Sequence, residues 1–159
     1  MTFEIDIQTV TKDPLPVDET TVKQWVTRVL SDHQDAAELT LRFVDEAEIR
    51  ALNQTYRKLD KPTNVLAFPF NMPNIEALDI PLLGDVIVCL SVVKSESETQ
   101  HKPYINHLAH IIIHGVLHLL GYDHIKEDDA LVMQTKEILY LNELNIENPY
   151  LMDGDDIVF

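Results

Sequence analysis

His114, His118 and His124 stand at offsets of 0, 4 and 10 in the segment HGVLHLLGYDH, with Gly121 at offset 7. Residues four apart on a helix lie one turn above each other on the same face. The apolar run from Leu108 to Ile113 reads as a buried helix that continues into this segment. His114 and His118 can therefore aim two imidazoles at one spot. Gly121 falls where that helix should stop, because a residue tolerant of φ > 0 ends a helix cheaply. The chain can then double back and bring His124 to the same point. Three neutral imidazoles make a seat for one zinc-like ion, with a fourth position open to water or substrate. The chemistry expected is that of a catalytic metal, carried by a metal-bound water on His114/His118/His124.

Two histidines at this spacing arise by chance, and a lone histidine on an apolar face is usually a core residue. Three, with a glycine between the second and third, are much harder to obtain accidentally. His110, one turn earlier, reads as a structural histidine or a support for a ligand. His33, His101 and His107 read as solvated surface.

The spacing H-x-x-x-H-x-x-G-x-x-H is that of the metzincin proteases, whose first histidine is followed by a general-base glutamate. Here that position is Gly115. Peptide hydrolysis needs a base for water and a proton donor for the leaving amine, so the difference is chemical. A glycine inside a helix also costs about 1 kcal/mol relative to alanine. It can leave room for a bulky substrate or allow close helix–strand packing, and the sequence does not choose between them.

The rest of the chain must position this segment. The 159 residues suit one domain, 1–159, with an acidic tail from about residue 148. Hydrophobic residues at 45% and charged residues at 25% are ordinary globular values. The net charge of −15, from 12 basic and 27 acidic residues, is not. It opposes indiscriminate binding to nucleic acid or anionic membrane. Cys89 is the only cysteine, which excludes an intrachain disulfide and suggests a reducing compartment. The N-terminus alternates apolar and acidic residues rather than resembling a signal peptide. No stretch approaches the roughly 20 apolar residues that span a bilayer. A soluble, cytoplasmic domain without membrane association is expected.

Phe3, Ile5 and Ile7 alternate with polar residues as a half-buried strand. Asp18 caps a helix in which Val22, Trp25, Val26, Val29 and Leu30 recur at helical spacing. Leu39, Leu41 and Phe43 form a second strand. Asp45 with Glu48 gives the capping-box pattern for a helix carrying Ile49, Leu52 and Tyr56 on one face. Val65 to Phe70 is a third strand, which Pro69 ends or places at an edge. Asn71–Pro81 reads as a surface loop and Leu82–Leu90 as the most apolar strand. Ser91 to Gln100 suits a polar helix, and Pro103 the first turn of the long helix after it. Glu127 to Asn145 places Leu131, Ile138, Leu141 and Leu144 at helical intervals. The order β-α-β-α-β-β-α-α predicts an α/β (α+β) single domain: a small mixed sheet of about four strands packed with about four to five helices.

The histidine segment resembles the signature of the YbeY family, the bacterial rRNA-maturation ribonucleases. The block Asn53–Phe68, NQTYRKLDKPTNVLAF, and Leu83-Gly84-Asp85-Val86 agree with the same family. The resemblance implies a single-strand-specific, metal-dependent endoribonuclease in 16S rRNA 3′-end maturation and 70S ribosome quality control. It implies one Zn2+ held by His114, His118 and His124 on a metzincin-like zinc helix, and a functional arginine at Arg57. It further implies single-stranded rRNA, the small ribosomal subunit and ribosomal proteins as partners.

The chemistry is consistent with that implication. Zinc lowers the pKa of bound water to about 7 and polarises a phosphoryl oxygen. RNA carries its own 2′-OH nucleophile, so a site poor in carboxylates suits it better than a peptide. Arg57 can clamp a phosphate through its planar fork; read alone, it is a surface arginine at a helix end. Asp85, in an apolar strand, is a further catalytic candidate, either orienting a ligand or accepting a structural hydrogen bond. Asp123 can orient a ligand or cap a turn. Lys58, Lys61, Lys94 and Lys102 form either a basic patch or scattered solvated charge. The alternatives are a zinc metallopeptidase-like hydrolase and a ribosome-assembly binding factor whose metal is mainly structural.

Overall fold

The computed structural model describes residues 1–70, 80–123 and 125–150. Most of the expected 71–81 loop, the tail from 151 onward and His124 lie outside the described residues. Four strands and five helices follow one another: β1 (Thr2–Thr9), α1 (Glu19–Ser31), β2 (Ala36–Val44), α2 (Glu46–Arg57), β3 (Val65–Pro69), β4 (Leu82–Cys89), α3 (Leu90–Thr99), α4 (Tyr104–Leu119) and α5 (Glu127–Glu143). The five helices stand at the upper end of the expected four to five. α3 and α4 are separate because His101 adopts φ 56° and Pro103, at the N-cap of α4, starts a new helix.

The sheet runs β1-β2-β4-β3. β1, β2 and β4 are parallel, whereas β3 pairs antiparallel with β4 as an edge strand that ends at Pro69. Proline lacks the N–H that a central strand must donate, which suits that place. A register shift between Glu38 and Leu39 lies opposite Leu82 and Gly84. Gly84 takes φ +137° there, and a Cβ on it would stand 2.1 Å from the Phe68 carbonyl oxygen. Only glycine fits that approach.

The larger core lies on the sheet face covered by α1 and α4, and a smaller one, around Ile49, Leu66, Ile87 and Cys89, lies under α2. The α1 stripe is buried as its spacing predicts, and the Asp18 carboxylate accepts from the Thr21 N–H at 2.9 Å. Asp45 departs from the capping-box expectation. Its carboxylate accepts from the Thr11 hydroxyl at 2.6 Å, and Glu48 is drawn to Arg42 at 2.7 Å. Both side chains found stronger partners than the backbone N–H groups of α2.

α4 is the central element, buried along nearly its whole length between sheet and helices. Gly115 permits this closeness. A Cβ there would lie 2.7 Å from Val86 Cγ1 and 3.3 Å from Val65 Cγ2. The structure thus shows the close-packing reason for the glycine. α4 ends in a Schellman arrangement: Tyr122 N–H donates to the Leu117 carbonyl and Gly121 N–H to that of His118, both at 3.1 Å, with Gly121 at φ +103°.

Candidate metal centre and cleft

Four histidines of α4 line up along one stripe at spacings of three, four and four residues: His107, His110, His114 and His118. The Nε2 atoms of His114 and His118 face each other at 3.1 Å. Two imidazoles on one tetrahedral zinc ion, each at about 2.0–2.1 Å, hold their nitrogens about 3.3 Å apart. The pair therefore fits such an ion. His114 is buried, and its Nδ1–H donates to Glu137 Oε1 at 2.5 Å. That bond selects the tautomer whose Nε2 lone pair points toward His118, as the carboxylate behind a metal-bound histidine does.

Glu137 was not legible as a site residue. The sequence places the inner face of α5 on Leu131, Ile138, Leu141 and Leu144; Leu141 is buried as expected, but Leu131 is 66% exposed and Leu144 37%. The stripe that faces inward is Met133, Glu137, Tyr140 and Leu141. It is helically periodic too, and the only signal was a carboxylate among those apolar residues. Glu137 is held by three groups: His114, the Tyr150 hydroxyl, which donates to Oε2, and His110, whose Nε2 lies 3.5 Å from Oε1. Burial pushes its carboxyl up, yet hydrogen bonds and charge from His110 and His114 outweigh this and hold it down at about 2. The same burial pushes His110 down, and burial with the Glu137 charge pushes Tyr150 up. The arrangement is a fixed carboxylate facing polar hydrogens. His110 supports Glu137 rather than the cleft.

His107 corrects an expectation. It is buried, not solvated, because α3 covers it; its Nε2 is 3.0 Å from Glu96 Oε1. Glu96 also accepts from the Asn64 amide at 3.1 Å. His33 is half-buried and shared between the Val29 carbonyl and the Tyr122 hydroxyl.

His114, His118 and Gly115 open onto a cleft of about 490 Å³, walled by β3 and by Tyr56 and Arg57 at the end of α2. Arg57 reaches it because α2 stops there: Lys58 takes φ 61°, and the Asn53 amide donates to the Lys61 carbonyl at 2.9 Å. The loop is tied down again where Cys89 N–H donates to the Asn64 carbonyl at 3.0 Å. Asp123 lines the cleft and caps a turn, accepting from the Ile125 N–H at 3.1 Å.

Asp85 is not brought to this cleft. It is exposed and alternates with Val86, whose side chain meets α4, so it leaves the sheet on the α2 face. Among the described residues, none of Lys58, Lys61, Lys94 and Lys102 lines the cleft. Lys102 donates instead to the Pro149 carbonyl at 3.2 Å. The four do not make a patch around the histidines.

A family model described as Endoribonuclease YbeY matches residues 6–145. The chain belongs to the YbeY endoribonuclease family. An Endoribonuclease YbeY from Alcanivorax borkumensis is 50% identical over 149 residues, covering 92% of this chain and 85% of that protein. One from Legionella pneumophila strain Corby is 49% identical over 158 residues, 99% of each. The solution structure of TM1509 from Thermotoga maritima aligns with a TM-score of 0.62 at 26% identity, over 87% of this chain and 88% of that one. The family's matched span includes Arg57, His114, His118 and Glu137 but stops short of Tyr150. Among the described residues no helix is long and apolar enough to cross a membrane.

Proposed function

We propose that this chain is a single-strand-specific, zinc-dependent endoribonuclease of ribosomal RNA. In this reading it matures the 3′ end of 16S rRNA and takes part in 70S ribosome quality control. It works in the cytoplasm with the small ribosomal subunit and its proteins as partners. The observation that carries the reading is one cleft that joins the facing His114 and His118 imidazoles to Arg57, in a chain of an endoribonuclease family.

His114 and His118 would hold the ion together with His124, which lies outside the described residues. α4 then acts as a metzincin-like zinc helix without the protease glutamate. When bound, zinc supplies a Lewis acid that polarises a phosphoryl oxygen and makes water a better nucleophile near neutral pH. Glu137 fixes the tautomer and the ring orientation of His114. Arg57 offers a planar pair of donors to the phosphate on the opposite wall. The peptidase alternative lacks support: position 115 carries no carboxylate and is packed on Val86, while the Glu137 carboxylate is taken by His114 and Tyr150.

The test is incubation of zinc-loaded protein with structured RNA and, separately, with unfolded protein. RNA should be cut, His114→Ala should lose both zinc and cleavage, and Arg57→Glu should lose cleavage while keeping zinc. Cleavage that survives His114→Ala would overturn the reading, and degraded protein beside intact RNA would pass it to the peptidase.

A further inference from the structure

Helical spacing predicts Tyr56 on one face with Ile49 and Leu52, yet it is 65% exposed. Its ring leans on Phe68 of the edge strand, centroids 4.9 Å apart and planes tilted by 58°. Both rings line the cleft that holds His114, and Arg57 is the next residue in sequence. We propose that Tyr56, backed by Phe68, is a stacking platform for an unpaired base of the substrate, set beside the phosphate that Arg57 takes. The proposal rests on the endoribonuclease reading and adds to it what the site recognises besides a phosphate.

Charge makes a platform necessary. The chain carries −15, and a polyanion is repelled by that field. Among the described residues lining the cleft, Arg57 is the one guanidinium or ammonium group. Phosphate contacts, the usual source of affinity for nucleic acid, are therefore few. Stacking on an aromatic face is insensitive to the sign of the net charge and tolerates any base, since each has a π-face. It also selects the strand. In a duplex the base faces are already stacked on their neighbours, whereas an unpaired base can be splayed onto a protein ring. Phe68 holds the platform still: it is half-buried in the α2-side core and fixed by the β3–β4 ladder.

The test is fluorescence anisotropy on zinc-loaded protein with two end-labelled single strands of one length. One is a 2′-O-methyl oligoadenylate, checked to be intact after each titration; the other is an abasic strand with the same phosphates. Tyr56→Ala should weaken oligoadenylate binding by about 5- to 150-fold, the equivalent of about 1–3 kcal/mol for a stacked base. It should leave the abasic strand nearly unchanged, and Tyr56→Phe should restore wild-type affinity. Equal losses on both strands, no loss on either, or a Tyr56→Phe protein as weak as Tyr56→Ala would each overturn the platform. If wild-type protein cuts RNA while Tyr56→Ala binds normally, only the platform falls. A wild-type protein that neither binds nor cuts RNA brings down the endoribonuclease reading with it.

Discussion

The two ends of α4 present the same side chain in different circumstances. At the N-terminal end His107 and His110 are buried away from the cleft, one paired with Glu96 and the other beside Glu137 and Tyr150. At the C-terminal end His114 and His118 turn their Nε2 atoms toward each other at the wall of that cleft. The stripe is continuous, with ring centroids 6.2, 6.4 and 4.6 Å apart along it. Residue type and spacing are therefore shared by a structural pair and the pair proposed to ligate. What separates them is the cleft with Arg57, onto which His114 and His118 open, and the atom that each neighbour occupies. Glu137 stands at the border: it takes Nδ1 of His114 and so leaves Nε2 to face the cleft.

The sharpest way to break this comparison is to remove the residue at the border. Glu137→Ala leaves the Tyr150 hydroxyl and two imidazoles buried without their acceptor. Stability should fall by about 3–5 kcal/mol in urea denaturation, as when one partner of a buried ion pair is deleted. Zinc affinity should fall about 10- to 100-fold in a chelator competition, the usual cost of losing the partner behind a ligating histidine. Unchanged zinc affinity would mean that Glu137 serves the fold alone.

His107→Ala tests the other end. Deleting a buried ring on a helix in the core should cost about 2–4 kcal/mol. Zinc content and affinity should stay near wild type, because Glu96 and not the cleft holds that imidazole. Loss of zinc in a protein that still folds would erase the distinction between the two ends.

Gly115→Ala probes how tightly the cleft end of α4 is pressed on the sheet. The new methyl meets Val86 Cγ1 at 2.7 Å, an overpacking cost of about 1–3 kcal/mol. Better helix propensity returns about 1 kcal/mol. A net loss of about 0–2 kcal/mol is expected, relieved when Val86→Ala is added. A stabilised single variant would show that the glycine answers to something other than packing.

The smallest effect belongs to a contact remote from both ends. The Tyr140 hydroxyl donates to Asp32 at 2.7 Å, and this bond, with Arg28 beside it, holds the exposed Asp32 carboxyl below its ordinary value. Tyr140→Phe should cost about 0.5–1.5 kcal/mol at neutral pH and leave zinc binding alone. A carboxyl lowered on folding contributes stability above its unfolded pKa and loses it as pH falls through the lower folded one. The gap between wild type and Tyr140→Phe should therefore close in acid, below about pH 4. A gap constant through that range would show that the carboxylate charge plays no part.

Local periodicity is what the sequence determined by itself. The alternation in β2, the stripe of α1 and the His114–His118 pairing follow from the pitch of one element, the edge role of Pro69 and the helix stop at Gly121 from the backbone chemistry of one residue, and all are found. Tertiary structure decided what depends on which elements meet. α5 offers two helically periodic stripes that share Leu141, and packing chose the one with Glu137 over the one with Leu131 and Leu144. Which sheet face α4 covers put Asp85 on the α2 side and brought Val86 under Gly115. Arg57 joins His114 only because α2 ends beside the edge strand that α4 crosses. A side chain's period is set by its own helix or strand; its partners are set by packing between elements far apart in the chain.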